Sequence, residues 1–379
     1  MATNVLPSRI PQQPPEPAHS LTDEILALVE GRIAQPFDGL AARALARQLR
    51  HYPTYGNLAA SRGVQPDALE RGDMPWTQVP PMPASAFAHL PLHIGEPAAV
   101  FRSSGTTRDG APRSTHHHSE PELYRRIIDR SLPPAVFGEE DPAPRSRTIV
   151  SLIPPISLVA DSSLGFMVDH AMTRWGDEQS IYAFDENRLQ PTNAVRWMRS
   201  LAGEGRSPIM LTTALALWAV LDEVERSGRR EPWPRTLRIM ETGGFKTERF
   251  RLTRGDLLCR LRELTGVGDQ QVVREYGMTE LSSQAYSDPG VDPDVFALPA
   301  WARVRALDPE TLGDVEPGEP GLLAFLDLGN VGSAAYVLTE DLGRLAENEP
   351  AVGRRFELLG RARDAQLRGC SLTTEQLLP

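Results

Sequence analysis

Cysteine is nearly absent: the chain has two, Cys259 and Cys370, in 379 residues. Neither has a CxxC partner or a neighbouring histidine pair, which excludes a disulfide framework and a structural zinc site and suits a reducing, cytoplasmic setting. Long apolar runs are missing too. The most apolar stretch, 209–221, is too short to span a bilayer and contains Thr212 and Thr213, so no membrane span is expected. The chain also lacks net positive charge. At a formal −10 its overall field repels nucleic acid and anionic lipid, and neither is expected as a partner. Residues 1–17 are rich in proline and glutamine and lack the apolar core of a secretory signal, so a disordered leader is expected over 1–19.

What is present fits a folded globular protein. Hydrophobic residues make up 40% and charged residues 24% of the chain, enough to bury a sizeable core. Ser20 and Asp23 are spaced as a capping box ahead of Ile25, Leu26, Leu28 and Val29, and a second helix is expected over 41–49. Together they predict a helical lead-in over 20–95. Between 96 and 305, apolar strand candidates at 148–153, 209–211 and 237–240 alternate with helix candidates at 120–131, 215–226 and 250–265. That alternation predicts an α/β core of layered mixed sheets flanked by helices. Beyond 306 the texture changes to Gly/Pro-rich turns and short strands, which predicts a small β-rich subdomain over 306–379.

Five segments carry the chemistry. The first is Phe101-Arg102-Ser103-Ser104-Gly105-Thr106-Thr107, a loop of four hydroxyls around a glycine after a short strand, suited to holding phosphates or to an ordinary turn. Thr242-Gly243-Gly244-Phe245-Lys246 follows a strand, and its paired glycines let a flat ring approach the backbone. Tyr276-Gly277-Met278-Thr279-Glu280 places an aromatic ring, a hydroxyl and a carboxylate within five positions. Thr339-Glu340-Asp341 is expected at the end of a strand, and Gly360-Arg361 lies near the C-terminus.

Taken together and in this order, these segments resemble the adenylate-forming superfamily of acyl and aryl ligases. Pro83 to Phe87, Ser114-Thr115-His116 and the Asp161 to Met167 segment narrow the resemblance to its acyl-protein synthetase branch, the fatty-acid-activating component of bacterial luminescence. The resemblance implies the N-terminal domain fold of those ligases, without a full mobile C-terminal domain, and ATP and Mg²⁺ as cofactors. It makes Ser103, Ser104, Gly105, Thr106 and Thr107 the phosphate loop, Gly243 and Gly244 the border of the adenine, and Tyr276 with Gly277 the segment stacked on it. Thr279 and Glu280 would hold the magnesium and α-phosphate side, Asp341 the ribose hydroxyls, and Arg361 the same sugar.

The chain departs from the family pattern at Arg108-Asp109-Gly110 and at Glu340, where the family has glycine. In place of a catalytic lysine from the missing domain, Lys246 is the candidate cation beside the reacting carboxylate. Cys370 is the candidate acyl acceptor, forming a thioester, or else a small packed hydrophobe. Cys259, among Leu257, Leu258 and Leu261, is expected in the core. Three adjacent histidines at 116–118 cannot all face one ion; they form a solvated run, or His116 hydrogen-bonds the site. Ser162 and Met167 are candidates for the acyl pocket, and His170 either lines that pocket or fills the core.

The function implied is ATP-dependent activation of a carboxylic acid, in this branch a fatty acid, as an acyl-adenylate, then transfer to Cys370 and on to a partner such as a reductase or carrier protein. Transfer to coenzyme A or a carrier protein is the alternative. A non-catalytic scaffold on the same fold is the reading from another class. With aromatics at 6%, composition does not choose between an alkyl chain and a ring as the acid.

Overall fold

Helix caps set the start of the fold. In the computed structural model, which describes residues 20–33, 36–103, 112–201, 207–228, 230–243 and 253–362, Ser20 and Asp23 exchange side-chain and backbone hydrogen bonds at the head of α1 (Leu21–Val29), satisfying two donors the helix itself leaves open. α2 (Phe37–His51) follows, then α3 (Pro53–Ser61) and α4 (Pro66–Arg71), each begun by a proline where no amide donor is needed.

After β1 (Met82–Pro83), the hairpin strands β2 (Ala99–Arg102) and β3 (Thr115–His118) lead to α5 (Pro121–Leu132). The strands β4 (Ile149–Ser151), β5 (Ile181–Tyr182), β8 (Ile209–Thr213), β9 (Arg238–Thr242) and β10 (Val272–Tyr276) then form a parallel run, with α6 (Ser163–Trp175), α7 (Pro191–Ser200), α8 (Ala214–Arg226) and α9 (Arg254–Thr265) in the crossovers. A small ribbon, β6 (Phe184–Asp185) with β7 (Arg188–Leu189), precedes α7. Antiparallel strands follow: β11 (Ala285–Asp288), β12 (Asp292–Ala297), β13 (Ala302–Leu307), β14 (Gly321–Asp327), β15 (Tyr336–Leu345) and β16 (Arg355–Arg361).

These strands join one twelve-stranded sheet in the order β13-β14-β15-β16-β12-β11-β10-β9-β8-β4-β5, with β1 on β15. The layered α/β expectation is thus met. The parallel strands read as continuous apolar runs because both of their faces are covered. Val150, Met210, Ile239 and Val272 pack under α7, α8 and α9, whereas their neighbours Ile149, Ile209, Leu211, Met240 and Val273 pack against α5 and α6.

Three expectations shift. The helix expected from 250 starts at Arg254, because Thr253 and Asp256 form a capping box there. Thr339 to Asp341 lies inside the ten-residue β15 instead of at a strand end, since β15 runs on against both β14 and β16. Cys259 is exposed instead of buried: Leu257, Leu258, Leu261 and Thr265 form the inner face of α9, and position 259 turns away from it. No helix among the described residues is long and apolar enough to cross a membrane.

Candidate active site

β4, β8, β9 and β10 all finish at one edge of the sheet, and after β10 the pairing changes from parallel to antiparallel. The carboxyl edge of the parallel strands is where open α/β sheets bind ligands. There β9 delivers Thr242 and the exposed Gly243, whose φ of 72° suits a glycine. Beside it β10 delivers Glu275, Tyr276 and Gly277. Glu275, which sequence reading did not single out, pairs in register with Thr242 and accepts its hydroxyl. Burial pushes the Glu275 carboxyl up to about 7. A side chain at position 277 would run into this carboxyl, which explains the glycine of the motif.

Tyr276 connects the two halves of the sheet. Its hydroxyl donates to Asp341 Oδ2 at 2.8 Å, although β15 is four strands from β10 in sheet order. A flat sheet would separate them by about 19 Å at the usual strand spacing. The antiparallel strands therefore curl back over β10, and the Tyr276 ring sits 5.9, 5.4 and 5.3 Å from those of Phe296, Phe325 and Phe356. Burial, with Asp341 beside it, holds the phenol well above the ordinary tyrosine range. Asp341 is opposite Arg361 across β15 and β16, with Arg361 Nε 3.6 Å from Asp341 Oδ1 and Arg361 Nη1 3.6 Å from Glu340 Oε2. Tyr276, Asp341 and Arg361 are thus one contiguous group.

The hairpin β2–β3 brings the Ser103 segment to the same place. Ser103 and Ser114 close its base, with Ser103 N donating to Ser114 O at 3.0 Å and Ser114 N to Ser103 Oγ at 3.1 Å. Arg113 donates to the Ser103 and Arg102 carbonyls and lies 3.2 Å from Asp161 Oδ2, so the Asp161 segment flanks the loop. His116 Nδ1 lies 2.8 Å from Thr279 O. Burial raises Glu280 above the usual carboxylate range against the pull of Ser114 and Arg361. The same cause lowers His116 to about 4. The histidine run is therefore not solvated: His116 and His118 face inward. Among the described residues no three metal-ligating side chains converge. Glu280, a buried hard-oxygen donor, nevertheless fits a magnesium ion completed by phosphate oxygens, the way that ion is commonly held.

A second group unseen in the sequence fixes the turn carrying Glu280. Buried Asp327 accepts from Ser282 N at 2.9 Å, Ser283 N at 2.7 Å, Ser283 Oγ at 2.7 Å and Gly329 N at 2.8 Å. Asn330 donates to Glu280 O at 2.8 Å and accepts from Ser282 Oγ at 2.7 Å. Asp327 follows an apolar strand and Asn330 a glycine, and only their burial marks them.

The remaining candidates divide. Ser162 caps α6 by accepting from Gly165 N at 3.0 Å. Met167, buried on the same helix, has its sulfur 3.8 Å from the Tyr286 hydroxyl. His170 pairs with Asp129 at 2.7 Å and packs against Trp175. Ser104, Gly105, Thr106, Thr107, Gly244, Lys246 and Cys370 lie outside the described residues.

Residues 231–378 match the family model of the acyl-protein synthetase LuxE. The long-chain-fatty-acid–luciferin-component ligases of Aliivibrio fischeri and Vibrio harveyi are each 29% identical to the chain, over 145 and 147 residues. Those matches cover 37% and 38% of this chain, and the chain spans only 38% of either relative's length. Among solved structures, 2-hydroxyisobutyryl-CoA ligase in an open conformation with 2-HIB-AMP and CoA is 16% identical, with a TM-score of 0.60 over 86% of this chain and 70% of that one. Over residues 231–378 the chain is thus similar to the acyl-protein synthetases, and its fold is similar to that of 2-hydroxyisobutyryl-CoA ligase.

Proposed function

We propose that the chain is an ATP-dependent acid–thiol ligase that activates a carboxylic acid, a fatty acid by analogy with its relatives, and passes the acyl group to Cys370 and then to an acceptor protein. The observation that carries this reading is the convergence of Ser103, Thr279-Glu280 and the Tyr276–Asp341–Arg361 group at one sheet edge, from segments far apart in sequence. In the first step an oxygen of the acid's carboxylate bonds to the α-phosphorus while the bond to pyrophosphate breaks. Two anions must meet for this, so cationic groups have to surround the reacting phosphate.

Arg113 and Arg102 line the loop base, and Arg361 stands beside Asp341. Lys246 is the single lysine of the chain and the candidate for the group beside the acid. Magnesium, when bound between Glu280 and the phosphates, would neutralise their charge. In the second step the Cys370 thiolate bonds to the acyl carbon, AMP leaves, and a thioester remains. Thioester chemistry and two cysteines suit a reducing compartment, and we place the protein in the cytoplasm.

ATP–pyrophosphate exchange across a panel of acids, with labelled acid to follow acylation, tests both steps. Cys370→Ser is expected to keep exchange and lose covalent label. Label retained in that variant would redirect the acyl group to coenzyme A or a carrier protein, and no exchange with any acid would favour a scaffold.

A further inference from the structure

The Thr279-Glu280 segment is held from two sides: its first carbonyl meets His116 Nδ1 at 2.8 Å, and its second accepts from Asn330 Nδ2 at 2.8 Å. His116 comes from β3, so the hairpin that carries Ser103 grips the turn after β10.

The proton on His116 follows from its partners. A carbonyl oxygen can only accept, so Nδ1 carries the hydrogen toward Thr279 O. The bare Nε2 of the neutral ring then accepts from the Ser333 hydroxyl, 2.7 Å away. The ring is 1% exposed, packed edge-on against Phe87 at 5.4 Å and beside His118 at 4.1 Å. It has no room to flip. Ser333 N in turn donates to Asn330 O at 2.9 Å, so the hydroxyl that meets the second ring nitrogen belongs to the turn that holds Glu280 O.

We propose that His116 is a positioning residue: in the Nδ1–H tautomer that the Thr279 carbonyl requires, and steadied at Nε2 by Ser333, it locks that carbonyl and so holds the Glu280 turn against the base of the Ser103 hairpin. This rests on the adenylating reading above and deepens it by naming what registers the phosphate side of the site with the metal side, across 163 residues of sequence. His116 touches neither ATP nor acid in this scheme. Its effect is on how much magnesium the enzyme needs.

Two measurements test it. Nitrogen-15 spectra of the histidine rings of the wild-type protein at neutral pH are expected to show His116 with hydrogen on Nδ1, and Ser333→Ala is expected to keep it there while shifting the Nε2 resonance, which loses its hydrogen bond. Hydrogen on Nε2 in the wild type overturns the proposal. In exchange assays, His116→Ala and His116→Gln are expected to raise the half-saturating magnesium concentration at least about tenfold, the usual effect of removing a partner of a ligating group. His116→Asn places an amide donor near the Nδ1 position and is expected to return that concentration to within about threefold of wild type. Equal losses in all three variants would mean a merely structural ring. If the wild type catalyses no exchange, the adenylation reading falls, and the tautomer and the Nε2 shift in Ser333→Ala decide the role of His116 alone.

Discussion

Tyr276→Phe removes one oxygen and leaves the ring among Phe296, Phe325 and Phe356. The lost bond runs to Asp341, whose carboxylate is partly open to water and can rehydrate, so the expected stability cost is about 1 kcal/mol. The larger effect falls on the nucleotide: with Asp341 no longer held, the KM for ATP in pyrophosphate exchange should rise about three- to tenfold. An unchanged KM would separate Tyr276 from the nucleotide site. Glu275 gives the pH counterpart. Its folded-state pKa of about 7 is above the unfolded value near 4.5, so the folded state binds the extra proton between those values. Its contribution to stability is therefore fullest below about pH 4.5 and is lost as pH rises through 7. Glu275→Gln keeps the acceptor for Thr242 without the charge. Compared with wild type by denaturant unfolding from pH 5 to 8, it should gain relative stability as pH rises, by up to roughly 3 kcal/mol. Parallel curves for the two proteins would refute burial as the cause.

At the scale of elements, the turn between β10 and β11 depends on a single carboxylate. Asp327→Ala strands three buried amides and a hydroxyl at once, and the expected loss is on the order of 3–5 kcal/mol, read as a fall in the unfolding midpoint. A loss below about 1 kcal/mol would show that the turn holds itself. The same turn marks where sequence reading reaches its limit. The parallel strands were legible because burial on both faces leaves an unbroken apolar run, and the α1 cap because its residues are three apart. The site motifs were legible as strings. Their partners were not: Ser333 is 217 residues from His116, and Asp327 45 from Ser282, so nothing local in the sequence marks them. Glu275 stood beside a recognised motif, yet its burial depends on the neighbouring strand β9. Cys259 failed for the opposite reason, since a leucine-rich segment suggests a core while the helical period decides which positions face it.

For the whole molecule, the sheet order puts the proposed nucleotide site at a seam. Gly243, Gly277 and Thr279 come from the parallel run, while Asp341 and Arg361 come from strands that curl back over β10. A ligand touching both sets binds only where the curl is formed, so it stabilises the folded sheet as a unit. At a magnesium-ATP concentration about 100-fold above its Kd the gain is about 2.7 kcal/mol. A gain of that size shifts Tm by several degrees in a mid-sized domain and by less in a longer chain. The expected result is a rise of a few degrees in thermal unfolding of the wild type with magnesium-ATP. Asp341→Ala should unfold within a degree or two of wild type without ligand, because Asp341 is at the solvent side of the seam, and it should lose most of the nucleotide-dependent rise. Cys370→Ser should keep the full rise, since in the proposed scheme the thiol acts only after the adenylate has formed. If Asp341→Ala responded to magnesium-ATP as the wild type does, the seam would not be the nucleotide site, and the curl of β11 to β16 over β10 would need another explanation.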